Sequence, residues 1–258
     1  MPQPNKKIKV TVIGDAHVEL HQSLRRFVWL GHHLNESPPD YLVWIGDFLT
    51  LESLSAWDKD KRLLMEGRRY QQEIQAGVVA LNATEIFQSK HKWKTIFLEG
   101  NHENRLTRYI EKNAELENAL GVRKDLGIDA RGYKWIPYKS YWELQGVHFT
   151  HVPFGKMREI TGKDICSKAE AVTTTSVVFG HTHELHTSCV HKHGMKHLQQ
   201  ILNVGCFFEQ NSDYIQGKMT NYWKGIVELD IYDFGRFDIK TISMGNLERV
   251  YGKKKVSI

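Results

Sequence analysis

Ile8-Lys9-Val10-Thr11-Val12-Ile13-Gly14-Asp15-Ala16-His17 is the stretch that decides how this chain is read. Six residues rich in β-branched side chains make a short buried strand, closed by Gly14. Two metal-ligating side chains, Asp15 and His17, follow at once. The pattern recurs. The apolar run 41–45 leads into Gly46-Asp47, the run 95–98 into Gly100-Asn101-His102-Glu103, and the run 177–179 into Gly180-His181-Thr182-His183. His151 follows the mixed run 147–150. Strands of one sheet bring distant residues together at a shared edge. Two Asp, one Asn and several His gathered there make an oxygen-and-nitrogen cage for two divalent metals.

Around these blocks the texture is α/β, then mostly β. Residues 21–34 carry Leu24, Phe27, Val28 and Leu30 at helical spacing, and Pro38-Pro39 stops the helix before the strand 41–45. A strand–helix–strand unit implies a parallel pair with a right-handed crossover. Residues 52–92 are long, polar and helix-rich, with Leu63, Leu64, Tyr70, Ile74, Val78, Leu81 and Phe87 as the apolar positions. Gly67 and Gly77 argue against one unbroken helix there. Leu106, Tyr109, Ile110, Leu116 and Leu120 predict a helix ended by Gly121. Beyond residue 132, strands are expected at 133–137, 141–144, 147–150, 176–179, 185–193, 197–203 and 225–231, with a turn around Gly194 and a helical patch at 164–173. The expectation is one domain over residues 1–258 with a helical insert at 52–92.

A chain of 258 residues with 41% hydrophobic and 25% charged residues has the composition of an ordinary globular protein. A net charge of +5 mildly favours an anionic partner without establishing nucleic-acid binding. Cys166, Cys189 and Cys206 are too few for a disulfide framework, which suits a reducing setting. Met1 to Lys7 leads straight into a strand with no apolar signal core, so a cytoplasmic location is expected. No apolar run approaches the ~20 residues that span a bilayer, so no membrane partner is expected.

Each block offers a distinct donor. Asp47 has two oxygens with which to bridge two cations. Asn101 offers a neutral carbonyl oxygen, and His151, His181 and His183 offer imidazole nitrogens. His181 and His183 reach one site if Thr182 points away. Mixed nitrogen and oxygen donors suit manganese, iron, zinc or nickel better than calcium or magnesium alone.

The D-x-H, G-D, G-N-H-[DE], late H and G-H-T-H blocks, in this order across residues 14–183, resemble the calcineurin-like metallophosphoesterase superfamily. Asn203-Val204-Gly205-Cys206 resembles its later N-x-G segment. The resemblance implies a four-layer αββα sandwich of two mixed sheets, with the site at the strand ends. It implies Asp15, His17, Asp47 and His183 around a first metal, and Asp47, Asn101, His151 and His181 around a second, manganese foremost. The implied function is hydrolysis of a phosphate monoester or diester. A hydroxide shared by the metals would attack phosphorus, and His102 would protonate the leaving oxygen. Arg105, three residues on, would clamp a phosphate oxygen beside Asn101 or pair with Glu103.

One departure stands out. The serine/threonine phosphatase branch continues G-D with a second Asp, which orients the catalytic His, and an Arg. Thr50 and Leu51 occupy those positions here, which argues against that branch. The Thr50 hydroxyl or another residue must then orient His102. A rival reading is a metal-dependent nuclease, motivated by Lys59, Lys61, Arg62, Arg68 and Arg69. Interleaved Asp58, Asp60 and Glu66 favour a solvated face for that segment. Glu66-Gly67-Arg68-Arg69-Tyr70 also resembles an insert of phage-type members of the superfamily. A non-catalytic scaffold is the other rival, and the full set of ligands with His102 speaks against it. His186, Cys189, His191, His193 and His197 crowd a hairpin, but strand alternation scatters them.

Overall fold

The computed structural model describes residues 7–19, 21–55, 60, 66–88, 92–155, 158–162, 164–195, 197–209 and 220–254. Four parallel strands come first: β1 (Ile8–Ile13), β2 (Tyr41–Trp44), β3 (Lys94–Leu98) and β4 (Lys134–Ile136). β5 (Trp142–Leu144) and β6 (Val147–Phe149) begin a second sheet, and β7 (Phe154–Gly155) and β8 (Arg158–Glu159) form a small ribbon. β9 (Ser176–Phe179), β10 (Leu185–Val190) and β11 (Gln199–Val204) complete the second sheet in the order β10-β11-β9-β6-β5. The chain then returns to the first sheet. β12 (Gly225–Tyr232) lies antiparallel to β1, and β13 (Arg236–Ser243) forms the edge, giving the order β13-β12-β1-β2-β3-β4.

The alternation of side chains along β1 sets the layers. Val10 and Val12 point into a core between the sheets, with Val43, Ile96, Phe149, Val178 and Leu202. Ile13 points the other way, toward Phe27, Leu30 and Leu34 of α1 (Arg25–Glu36) and Ile74, Ala80 and Leu81 of α2 (Tyr70–Thr84). Short helices α3 (Asn104–Ile110) and α4 (Val122–Asp125) add Leu106 and Val122 to this layer. On the far side of the second sheet, Val177 and Phe179 meet Ile165, Cys166 and Ala169 of α5 (Ile165–Val172). The layers run helix, sheet, sheet, helix, as the resemblance implied. A C-terminal helix, α6 (Met244–Tyr251), closes the first helical layer through Leu247 and Tyr251.

Several local expectations shift. The first helix begins at Arg25, four residues after His21. α2 runs unbroken through Gly77, where a Cβ would meet the Leu49 side chain at 2.7 Å and that of Leu126 at 2.9 Å. The cost of glycine in a helix is therefore accepted for close packing. Gly121 does not end the preceding helix. That helix stops at Ile110, with Glu111 as its C-cap, and Gly121 is the extended N-cap of α4. β4 joins the first sheet, and β13 and α6 were not foreseen. Leu63 and Leu64 lie outside the described residues. No helix among the described residues is long and apolar enough to cross a membrane.

α1 is tied to the first sheet by a half-buried charge cluster. His33 Nε2 lies 2.8 Å from Glu228 Oε1, and Lys240 Nζ donates to Glu228 Oε2 at 2.8 Å. Burial pushes the Glu228 carboxyl up, but the bonds from His33 and Lys240 outweigh it and hold it down to about 2. A depressed carboxyl stabilises the fold above its unfolded value of about 4.3, and that contribution fades as the pH falls toward the folded value. Glu228→Gln is therefore expected to be less stable than wild type at neutral pH, with the gap narrowing below about pH 4. Urea unfolding across that range checks it, and a pH-independent gap would refute it.

Candidate metal centre

The C-terminal ends of the parallel strands meet on one edge of the sandwich. Asp15 follows β1, Asp47 follows β2 and Asn101 follows β3, while His151 follows β6 and His181 and His183 follow β9. Hydrogen bonds from main-chain N–H groups stitch the two sheets there. His181 N–H donates to Asp15 Oδ1 at 3.0 Å, and Phe207 N–H donates to the Asp15 carbonyl at 2.7 Å.

Several of these residues sit in left-handed backbone conformations: His17 (φ 42°), Asp47 (φ 48°), His181 (φ 75°) and His183 (φ 63°). Each costs about 1–3 kcal/mol, and such residues cluster at functional sites. Thr182 does point away from the cluster, with its hydroxyl bonded by the Asn203 amide. Gly100 permits the closest approach. A Cβ there would lie 2.1 Å from Asp47 N and 2.2 Å from Asp47 Oδ1.

The donors converge in two halves. His183 Nε2 is 3.1 Å from Asp15 Oδ2 and 3.1 Å from His17 Nε2. His151 Nε2 is 2.9 Å from Asn101 Oδ1 and 3.3 Å from Asp47 Oδ2. Asp47 Oδ2 also lies 4.0 Å from His17 Nε2, so this carboxylate faces both halves. Asp15, His17 and His183 form one compact ligand group, and Asp47, His151 and His181 another. The donor set fits divalent cations: His181 Nδ1 is buried without a hydrogen-bond partner, and nitrogen lone pairs and carboxylates face one another. Among the described residues, the His and Cys of the β10–β11 hairpin form no such group.

Electrostatics follow the same geometry. Burial opposes ionisation of Asp47, but His151 and His102 outweigh it and hold its carboxyl well below the usual range. Burial, reinforced by His102 and His183, holds His17 well below the usual histidine value. Burial also pulls on His151, but Asp47 prevails and raises it to about 9.

His102 is oriented by a group the residue types conceal. Its Nδ1 donates to the Thr50 main-chain carbonyl at 2.7 Å, while the Thr50 hydroxyl turns away to Glu19 at 3.1 Å. Its Nε2 faces Asp47 Oδ2 at 3.9 Å. Arg105 is partly committed: Nη1 donates to the Thr50 and Leu51 carbonyls at 3.0 and 3.3 Å, and Nη2 lies 3.2 Å from His102 Nε2. Glu103 accepts main-chain N–H groups instead of pairing with Arg105. Arg68 pairs with Glu52, and Lys59, Lys61 and Arg62 lie outside the described residues.

Glu103 is the main residue the sequence reading passed over. Buried to 1% exposure, it accepts N–H bonds from Asp47 (3.0 Å), Leu49 (2.8 Å) and Gly100 (2.8 Å). Burial pushes its carboxyl up to about 8, Asp47 adds to the rise, and the Leu49 and Gly100 N–H groups oppose it. Its place in the Gly-Asn-His-Glu block was the available signal. Phe208 and Tyr222, set edge-on to His183 with ring centroids at 5.1 and 4.7 Å, had none.

The calcineurin-like phosphoesterase family model matches residues 8–205, and the chain belongs to that family. Its fold and its clustered His and Asp groups together support a metal-dependent phosphoesterase. No curated protein matches the chain. Among solved structures, the chain is similar to nuclease MPE of Pseudomonas putida (15% identity, 90% of this chain and 87% of that one, TM-score 0.39). It is also similar to the purple acid phosphatase PPD1 of yellow lupin (12% identity, TM-score 0.45), covering 95% of this chain and 53% of that one. A third similar structure is Vps29 of Chaetomium thermophilum (9% identity, 91% and 97% coverage, TM-score 0.41).

Glu103→Ala leaves three buried N–H groups without their acceptor and is expected to destabilise the metal-free protein by about 3 kcal/mol or more. Urea unfolding in the presence of a chelator checks this, and a loss under about 1 kcal/mol would refute it.

Proposed function

We propose that the protein is a dinuclear metal-dependent hydrolase of phosphate esters. The observation that carries this reading is Asp47, whose carboxylate faces the Asp15–His17–His183 group on one side and the His151–His181 group on the other. Asp15, His17, Asp47 and His183 would hold one cation, and Asp47, Asn101, His151 and His181 the other. Manganese heads the candidates for such a mixed donor set, with iron, zinc and nickel behind it. Two bound cations would supply an activated water and neutralise charge on the phosphoryl oxygens.

The chain's own residues would do the rest. His102 would present Nε2 to the leaving oxygen, with Nδ1–H anchored on the Thr50 carbonyl. Burial holds its ring down to about 4, Asp47 opposes this and Arg105 reinforces it, so the resting ring is neutral. An arriving phosphate anion would favour the protonated ring and draw the Arg105 Nη2 group onto a phosphate oxygen. Asn101 would line the same side. Nucleic acid remains within the substrate class as a phosphodiester, although Arg68 of the basic segment is already paired with Glu52.

With manganese, wild type is expected to turn over an aryl phosphate monoester or diester. A panel of nucleotides and of single- and double-stranded DNA and RNA would rank the substrates. Asp47→Asn and His181→Ala are expected to lose metal and turnover together. His102→Ala is expected to keep its metal and lose about 100- to 10,000-fold in rate. Metal content by elemental analysis beside the rate assay checks this. Absence of turnover on every phosphate ester with every transition metal would sink the enzyme reading in favour of a non-catalytic scaffold.

A further inference from the structure

Arg26 is a charged side chain sealed inside the helical layer, with 0% of its surface exposed. Its guanidinium lies over the Phe27 ring, 4.6 Å from the centroid. Nε donates to the Phe207 carbonyl at 2.8 Å, Nη1 to the Ser23 carbonyl at 2.6 Å and Nη2 to the Ala16 carbonyl at 3.1 Å. Burial pulls it down to about 10, so it stays charged at neutral pH. Burying a charge on a helix face shared with Leu30 and Leu34 is costly where an apolar residue would pack without penalty.

What that cost secures lies in the three carbonyls. Ala16 sits between Asp15 and His17, and its own N–H donates to the Asp47 carbonyl at 3.1 Å. Phe207 donates its N–H to the Asp15 carbonyl at 2.7 Å. The next ring, Phe208, packs edge-on against His17 and His183, with centroids at 5.5 and 5.1 Å. Ser23 lies just before α1. One planar fork thus joins the 15–17 turn, the 206–208 segment and the start of α1, a geometry an ammonium on a flexible stem does not reproduce. His183, on the loop after β9, is reached only through the Phe208 ring. Asn101 and His151 share no hydrogen bond with the segments that Arg26 joins, and His181, beside His183 on the same loop, touches them through its N–H to Asp15 Oδ1.

We propose that Arg26 is a positioning residue for one half of the metal centre, holding the Asp15–His17 turn directly and His183 through the Phe208 ring, while Asn101 and His151 are held by other segments. The proposal rests on the dinuclear reading above. The test is calorimetric titration of chelator-stripped full-length protein with manganese, beside the manganese spin-resonance spectrum. Wild type is expected to bind two ions. His17→Ala and His151→Ala identify which binding event belongs to which half. Arg26→Met, with no donors, is expected to weaken the His17 event about 10- to 100-fold while the His151 event keeps its affinity. Its spectrum should change from that of a coupled pair to that of an isolated ion. Arg26→Lys keeps charge and stem and carries the same test if the Met variant does not fold, with a smaller loss expected at the same event. Variants that bind both ions as wild type does, or weaken both equally, would overturn the proposal. Wild type binding a single ion would instead sink the dinuclear reading, and the proposal with it.

Discussion

Asp47 is the constraint on which the rest of the centre depends. It sits past the end of β2 in a left-handed conformation, and its main-chain groups and one carboxylate oxygen are hydrogen-bonded. Its carbonyl accepts from the N–H groups of Ala16 and His17 at 3.1 and 3.0 Å, its N–H donates to Glu103, and Oδ1 accepts from His102 N–H at 2.8 Å. Only Oδ2 is left, and it faces the rings of His17, His102 and His151. One residue therefore sets the spacing between the D-x-H turn, the Gly-Asn-His-Glu turn and the loop after β6. A strained backbone of this kind persists because its surroundings over-determine it.

The sandwich supplies that over-determination. Parallel strands place their C-terminal ends on one edge, and two such sheets packed face to face set two edges against each other. The inter-sheet core of Val12, Val43, Ile45, Val178 and Val204 reaches nearly to the clustered Asp, Asn and His residues, so the loops that carry them begin from packed strand ends. Isolated bridges from Asp15 to Cys206 and from Cys206 to Lys224 continue the pairing past the regular strands. This is why loops rich in strained residues can hold these side chains close together.

Buried ionisable side chains are the second theme. Asp15, Asp47, Glu103 and Arg26 are all sealed from solvent, and each answers its desolvation with main-chain bonds. Glu103 gathers three N–H groups from two turns, and Arg26 gathers three carbonyls from three segments. They act as opposite clamps behind the clustered Asp and His side chains, one a carboxyl that accepts and the other a guanidinium that donates. Such buried polar groups weaken a core unless fully satisfied, and they fix one arrangement when they are.

Much of this was legible in the chain itself. Apolar runs such as Ile8–Ile13, most of them leading through Gly into Asp, Asn or His, defined the strands, their shared edge and the candidate donor types, because strand periodicity and donor chemistry are local properties. Local patterning also carried α1 and α5 to within a few residues. It could not show that Gly77 lies inside a helix, since the reason is contact with Leu49 and Leu126, or that Gly121 starts a helix instead of ending one. Nor could it show that the Thr50 carbonyl, common to every residue type, orients His102 in place of a side chain. Arg26 shares a helical face with Leu30 but has carbonyl partners as far away as Phe207. The sequence alone determined which donors exist and which strands carry them. Tertiary structure alone decided how those donors are held, because the holding is done by main-chain groups and buried charges whose partners are remote in sequence and carry no residue signature.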